Sequence, residues 1–300
     1  MRKSIYLLCM TLSCIIFTGR AQELNIDYTP LTTLKNSSGD DIGKGDQLRI
    51  GSTLAVPLSM KREENGFIKK WDLTLNGRYT RMNYDGEAKV IQPNEIISGG
   101  AMLTHVRSLS RRWNLVASLG VSFNAIPDHI RWQNISLSSG LIFMYSINKE
   151  FHIGIGAAMT TLYDVPIILP LPYIAWNKDG KYRIELNMRG VPELKISTDI
   201  NDRTTISFKP FMMQRETAVL ERKGKDHVYS MSSMGSTFLF QYKLSKRATW
   251  VANAGYIWRR TIKENERSWK GFWDSITDNE NRCKFNNNFI FSTGIKFNLR

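Results

Sequence analysis

Long apolar runs are missing from this 300-residue chain once its first 21 residues are passed. No later stretch approaches the about 18 consecutive apolar residues that mark a membrane-spanning helix. The mean hydropathy of −0.29 agrees. Cysteine is scarce, with only Cys9, Cys14 and Cys283, so there is no disulfide framework and no CxxC metal pair. The four histidines include no HExxH pair and none at ligand spacing. Acidic residues are few, 27 against 41 Lys and Arg, for a net +14. Proline numbers only 9, yet 21 Gly, 8 Trp and 11 Tyr lean the composition toward strands. With 42% hydrophobic and 23% charged residues, wholesale disorder is excluded.

The first apolar run reads as a secretory leader over residues 1–21. Arg2 and Lys3 precede the apolar Ile5 to Phe17, and Gly19-Arg20-Ala21 ends on a small residue. Acylation at Cys14 is the weaker alternative, because the apolar region before it would be very short. Cleavage after Ala21 would leave 38 basic against 27 acidic residues, a net +11, and a single thiol, Cys283, in a polar loop. A pI of 9.7 suits nucleic acid, but export removes that partner.

The mature chain, 22–300, alternates with period two. Trp113, Leu115, Ala117, Leu119, Val121 and Phe123 oppose Asn114, Ser118, Gly120, Ser122 and Asn124. Tyr182, Ile184, Leu186 and Met188 oppose Arg183, Glu185, Asn187 and Arg189; Phe289, Phe291, Ile295 and Phe297 oppose Ser292, Gly294 and Lys296. Helices need spacings of three and four, so these are strands. A soluble sandwich also alternates. Three features favour a membrane barrel: segments of ten or more residues, aromatics near segment ends, and connections that alternate short and long. Short polar turns fall at 64–66, 110–112, 148–150, 177–180, 201–202 and 245–247. Longer links fall near 35–46, 84–94, 126–133, 163–166, 190–193, 217–227 and 262–284. The expected fold is therefore all-β, a transmembrane antiparallel up-and-down barrel of about 14 strands, counting one near 23–33. The short segments around 190–200 leave 12 as the alternative.

Near the chain end, Ser292, Gly294, Phe297 and Leu299 follow the pattern polar, any, Gly, any, any, aromatic, any, hydrophobic. This resembles the signal by which barrel-assembly machinery recognises its clients, although Arg300 extends past it. The stretch Ile167-Ile168-Leu169-Pro170-Leu171-Pro172-Tyr173-Ile174-Ala175-Trp176, the following Tyr182 to Leu186, Val191-Pro192, Leu194 to Phe208 and the earlier Arg112-Trp113-Asn114-Leu115 carry a second likeness. They resemble the outer-membrane β-barrel family called domain of unknown function 6268, common in Bacteroidetes-type bacteria. The resemblance covers the chain from about residue 46, implies a barrel in a Gram-negative outer membrane among lipid and lipopolysaccharide, and transfers no catalytic residues.

No catalytic, metal or cofactor site is expected. None of His105, His129, His152 or His227 has a serine two residues on, and Asp128-His129 and Asp40-Asp41 are adjacent pairs that strand geometry would split between faces. What needs an account is the positive charge. Arg49, Arg78, Arg183, Arg189 and Lys209, with Glu185 and Asp72 as acids nearby, must point into the lumen, since a mid-membrane Arg facing lipid costs about 2–4 kcal/mol. They either fill a closed lumen or line a narrow porin-like path for small anions. Two further readings stay open: a non-conducting docking barrel using the loops near 84–94, 217–227 and 262–284, and, weakest, a barrel enzyme.

Overall fold

The computed structural model describes residues 21–64, 66–189, 192–277 and 282–298. The proposed leader up to residue 20, Asn65, the 190–191 link, Leu299 and Arg300 lie outside them. The chain forms one antiparallel sheet closed on itself: β1 (Ala21–Lys35), β2 (Asp41–Arg62), β3 (Ile68–Tyr84), β4 (Glu95–Ser108), β5 (Trp113–Ala125), β6 (Ile135–Ser146), β7 (Phe151–Thr160), β8 (Ile167–Lys178), β9 (Arg183–Arg189), β10 (Pro192–Asp199), β11 (Thr204–Arg222), β12 (Lys225–Lys243), β13 (Ala248–Glu266), β14 (Cys283–Phe285) and β15 (Asn288–Asn298). The last two are pieces of one wall position, since both pair with β1 and with β13, so the barrel has 14 strands. β9 and β10 are both strands, which settles 14 over 12.

Alternation sorts the side chains. Leu24, Ile26 and Tyr28 of β1, Leu119 and Val121 of β5, Leu137, Leu141 and Phe143 of β6, Ile153 and Ile155 of β7 and Phe289 and Phe291 of β15 are large, apolar and exposed. These share the outward parity, while Asn25, Asp27, Gln47, Arg49, Thr80, Ser122 and Ser136 take the inward one. An apolar outer belt around a polar interior is the arrangement a bilayer demands, and closure leaves no strand edge in lipid. Aromatic pairs reinforce the belt: Trp113 with Tyr145, Phe240 with Trp250 and Tyr256 with Phe289, at centroid separations of 5.1, 5.8 and 5.4 Å.

Turns at one end are short, and both ends of the described chain, Ala21 and Asn298, lie there. The other end carries residues 36–40, the 85–94 link with a short helix Ala88–Ile91, the 126–134 link with a 3₁₀ turn, residues 161–166, and a longer link holding the helix Trp269–Thr277. Three expected links are shorter than the sequence suggested: β2 already begins at Asp41, β13 runs on to Glu266, and the 217–227 link is not a loop. β11 and β12 stay paired through Arg222↔Lys225 around a two-residue turn, Lys223-Gly224. Both turn residues have positive φ, 52° and 77°, the geometry that matches hairpin twist.

That hairpin does not stay in the wall. β10 pairs with β11 only from Asp199↔Thr205 to Ile196↔Phe208. Beyond Phe208 the hairpin passes inside the barrel: Ala218, Val219 and Leu220 in succession, and Val228 through Met231 in succession, are at most 7% exposed. A wall strand would bury one face; here both are covered. One face carries Ala218, Leu220, Tyr229 and Met231 into a cluster with Leu34, Met82, Tyr84, Ile262 and Phe285. The other sets Val228 against Tyr163, Ile167 and Phe272, while the Val219 carbonyl accepts from Asn134 Nδ2 at 3.2 Å. Turning inward spares lipid the β11 edge that β10 leaves unpaired.

The bend lies where pairing slips, between Lys209 and Met212 on β11 and between Met234 and Gly235 on β12. A Cβ on Gly235 would stand 2.5 Å from the Tyr256 carbonyl oxygen and 3.2 Å from Ile257 Cα. Only glycine allows the two backbones to approach this closely. Gly235→Val is therefore expected to abolish the compact, heat-modifiable band of the refolded barrel on a gel. A full yield of that band would show that the bend does not depend on this contact.

Candidate functional site: the lumen

The lumen is built around Glu216, on the inward hairpin and only 2% exposed. Its carboxylate accepts from Arg49 Nε at 3.0 Å, Gln47 Nε2 at 2.9 Å and Thr80 Oγ1 at 2.7 Å, and Arg78 Nη1 stands 3.7 Å away. These donors come from β2 and β3, so the hub pins the hairpin to the opposite wall. Arg49 is also satisfied by Gln214 Oε1 at 2.6 Å and lies 3.5 Å from Asp27. Arg260, buried as well, bonds Gln47 and stacks its guanidinium 4.2 Å over the Phe285 ring. The Glu216–Arg49 pair meets the condition on which buried charge persists, an opposite charge and hydrogen bonds, whereas Arg260 has no described carboxylate within 4 Å and leaves Nη1 without a partner.

Salt bridges hold the hairpin tip. Arg131 reaches Glu221 and Asp226 at 2.9 Å each, and Arg267 lies 3.8 Å from Asp226 and 3.6 Å from Asp164. Tyr229 Oη donates to Gln92 Oε1 at 3.4 Å.

Nearer the short-turn end, β9, β10 and β11 carry an ion-pair ladder. Arg183 forks onto Asp199, with its second bond at 2.9 Å; Lys195 meets Glu185 at 3.1 Å; Lys209 meets Glu193. Arg183, Glu185 and Lys209 are thus brought together, but with acids that the sequence reading did not place beside them. Lys195 stands directly opposite Glu185, while Arg183, opposite Ser197, reaches Asp199 diagonally and Lys209 reaches Glu193 across the strands, so this part of the lumen is close to neutral. Asp72, expected near the lumen arginines, pairs instead with Lys70 at 2.7 Å. The backbone of Arg189 pairs with Tyr173 at the end of β9, and its side chain lies outside the described set.

Positive charge without a counter-ion sits elsewhere. Arg203, Lys243 and Lys296 surround a pocket of about 190 Å³ at the short-turn end, together with Thr205, Gln241 and Thr249. Lys243 Nζ donates to the Asp202 carbonyl at 2.9 Å, and among the described residues no carboxylate comes within 4 Å of any of the three cations. At the hub end, Arg78 and Arg215 line a second cavity of about 310 Å³ beside Glu216. Alternation alone could not reveal Glu216 or Arg215. Residues 216–220 are covered on both faces, so the period-two signal vanishes and the dense charges around them read as a loop.

A nucleophile–base contact is present among the described residues. Ser146 Oγ and His152 Nδ1 lie 2.9 Å apart across the β6–β7 hairpin, a pairing that an i, i+2 search misses. Acyl transfer also needs an orienting acid and donors for the oxyanion. No described carboxylate hydrogen-bonds to His152.

Of the assembly pattern, Ser292, Gly294 and Phe297 sit on β15 opposite Asp27, Asn25 and Gln22 of β1, which makes β15 the seam strand. Leu299 lies outside the described residues.

A closed antiparallel sheet of 14 up-and-down strands, apolar outside and polar within, defines the chain as a transmembrane β-barrel of the outer-membrane architecture. The chain belongs to the family described as Domain of unknown function (DUF6268), whose profile matches residues 16–298. Among curated proteins no sequence matches. Solved structures similar to it include the NanC porin, 9% identical over 91% of this chain and 98% of that one with a TM-score of 0.32. The P. putida toluene transporter TodX is 10% identical, covering 93% and 89% with a TM-score of 0.38. An outer-membrane channel from Pseudomonas putida F1 is 7% identical, covering 93% and 96% with a TM-score of 0.39. The class rests on the closure of the sheet and its apolar belt.

Proposed function

We propose that this is a non-enzymatic barrel of a Gram-negative outer membrane, exported by its leader and inserted by the barrel-assembly machinery among lipid and lipopolysaccharide. Its lumen is a narrow path for small hydrophilic anions, shut in this conformation by the β11–β12 hairpin. The carrying observation is a pair of cationic stations flanking a neutralised ladder: Arg203, Lys243 and Lys296 at one end, with no described carboxylate within 4 Å, and Arg78 with Arg215 at the other, where Glu216, 3.7 Å from Arg78, is shared with Arg49. Rings of Arg and Lys select anions in pores. The residues assigned to selectivity thus move from Arg183 and Lys209, which have acid partners, to these five.

The test is the reversal potential of the refolded protein in a planar bilayer under a salt gradient. Anion-biased steps are expected. Lys243→Gln with Lys296→Gln should remove at least half of that bias, while Arg183→Gln should not. A cation bias, or electrical silence both in the parent and in a form with the hairpin shortened, would overturn the reading. A docking role is favoured by one observation only: Trp132, Trp269 and Trp273 are exposed at the long-loop end, Trp132 by 85%.

A further inference from the structure

The 310 Å³ cavity beside the hub has an unusual wall. Each of its lining residues is Asn, Ser, Thr, Arg, Glu or Gly, and none is apolar. Small-molecule pockets of about 300 Å³ and above are ordinarily lined mostly by hydrophobic and aromatic groups with a few polar ones. A wall without aliphatic or aromatic side chains gives an apolar ligand little burial to gain, yet it offers hydrogen bonds on every side. The side chains of Asn76, Ser98 and Asn124 line it and make no hydrogen bond to another described residue, so their donors and acceptors remain available.

Two guanidinium groups add charge. Arg78 keeps 45% of its side chain accessible and stands 3.7 Å from Glu216, a distance that leaves its fork unfilled. Arg215 comes from the other face of the hairpin and commits only Nε, to Ser230 Oγ at 3.2 Å. A planar fork matches a carboxylate with two parallel bonds. Glu216 on the same wall, already taken by Arg49, Gln47 and Thr80, sets an upper limit on the charge tolerated and disfavours a doubly charged phosphate.

We infer that this cavity is a binding site for a small hydroxylated monocarboxylate, about the size of one acidic sugar, with Arg78 and Arg215 holding the carboxylate and the Asn and Ser side chains holding hydroxyls. The inference rests on the reading of the lumen as a solute path and names the solute class. Since Arg215 rides on the hairpin and Arg78 on β3, the bound anion would bridge the hairpin and the wall.

The experiment is calorimetric titration of the refolded full-length barrel in detergent with glucuronate, and in parallel with glucose, glucose 6-phosphate and benzoate. Glucuronate is expected to bind, with glucose and benzoate at least tenfold weaker and the phosphate weaker than the carboxylate. Arg215→Gln, at an exposed position, should weaken glucuronate at least tenfold without changing heat-modifiability; Arg78→Gln should do the same. No glucuronate binding, binding untouched by either substitution, or benzoate binding equally well would each overturn the assignment. Conductance of the same preparations separates the two claims. An anion-selective channel that ignores glucuronate retains the path and loses the site. Glucuronate binding to a silent barrel retains the site and loses the path.

Discussion

Replacing Glu216 by alanine is expected to lower the stability of the refolded barrel by about 3–5 kcal/mol, the cost of stripping a buried ion pair of one partner. Arg49 is then left buried at 6% exposure, with Asp27 3.5 Å away as its nearest acid, and Gln47 and Thr80 lose their common acceptor. The urea midpoint of folded protein in micelles reads the loss. Removing both charges in Arg49→Met/Glu216→Met should recover most of it, because apolar side chains of similar volume often replace a buried pair at little cost. The contrast between the single and double variants is the informative result. If Glu216→Ala instead shifts stability by only about 0.5 kcal/mol, as an exposed pair would, the carboxylate is solvated and the hub does not clamp the hairpin. Because Glu216 joins the hairpin to β2 and β3, the single variant should also show more frequent conducting steps than the parent.

The second large effect concerns the hairpin as an obstruction. Arg215 and Ser232 face each other in the β11–β12 register, so residues 216–231 can be replaced by Asn-Gly without disturbing the pairing below. The shortened protein keeps all 14 strands, loses the segment buried inside them, and leaves Ile262–Glu266 of β13 without the β12 partners they have in the parent. A barrel of this strand number, freed of internal structure, is wide enough for a water-filled lumen. Single-channel conductance is therefore expected to rise at least about tenfold over the parent, from rare small steps to sustained open ones. Heat-modifiability on a gel confirms that the shortened chain folds. A folded, shortened barrel with the parent's conductance would mean that the passage is blocked elsewhere, most plainly at the ladder of β9 to β11.

Much of the wall was legible in the sequence because its physics is local. Leu119 and Val121 face lipid while Gly120 and Ser122 face the lumen, and alternation states that directly. Closure followed from counting, and β9 and β10 were countable because Ile184, Leu186, Leu194 and Ile196 keep the period across seven- and eight-residue strands. The lumen was less legible. Placing Arg183 and Lys209 on the inner face needed only parity, but pairing them with Asp199 and Glu193 needed the register between strands, which no single segment encodes. The hairpin was hidden for a different reason. Over Ala218–Leu220 and Val228–Met231 both faces are covered and alternation disappears, and the five charged residues from Glu221 to Asp226 look like solvent-exposed loop. Those charges are the salt bridges that fasten the hairpin in place. Arg131 and Arg267, its partners, lie about 90 and 40 residues away, beyond the reach of any pattern of local spacing.

The seam between β1 and β15 has a consequence in time. Eight residue pairs from Ala21↔Asn298 to Tyr28↔Phe291, with Leu34↔Phe285 and Lys35↔Lys284 beyond them, join the two ends of the described chain, whereas the other strand pairings join segments near in sequence. Hairpins along the chain can form within microseconds of becoming available, but the seam has to wait for the last strand. Closing so long a loop is entropically unfavourable and slows the step, since contact order governs rate more than stability. During that wait the nascent sheet carries two raw edges, one at β1 and one at β15. Folding is then a race between closure and aggregation, and its rate-limiting event is the meeting of Asn25 with Gly294 rather than the formation of any single hairpin.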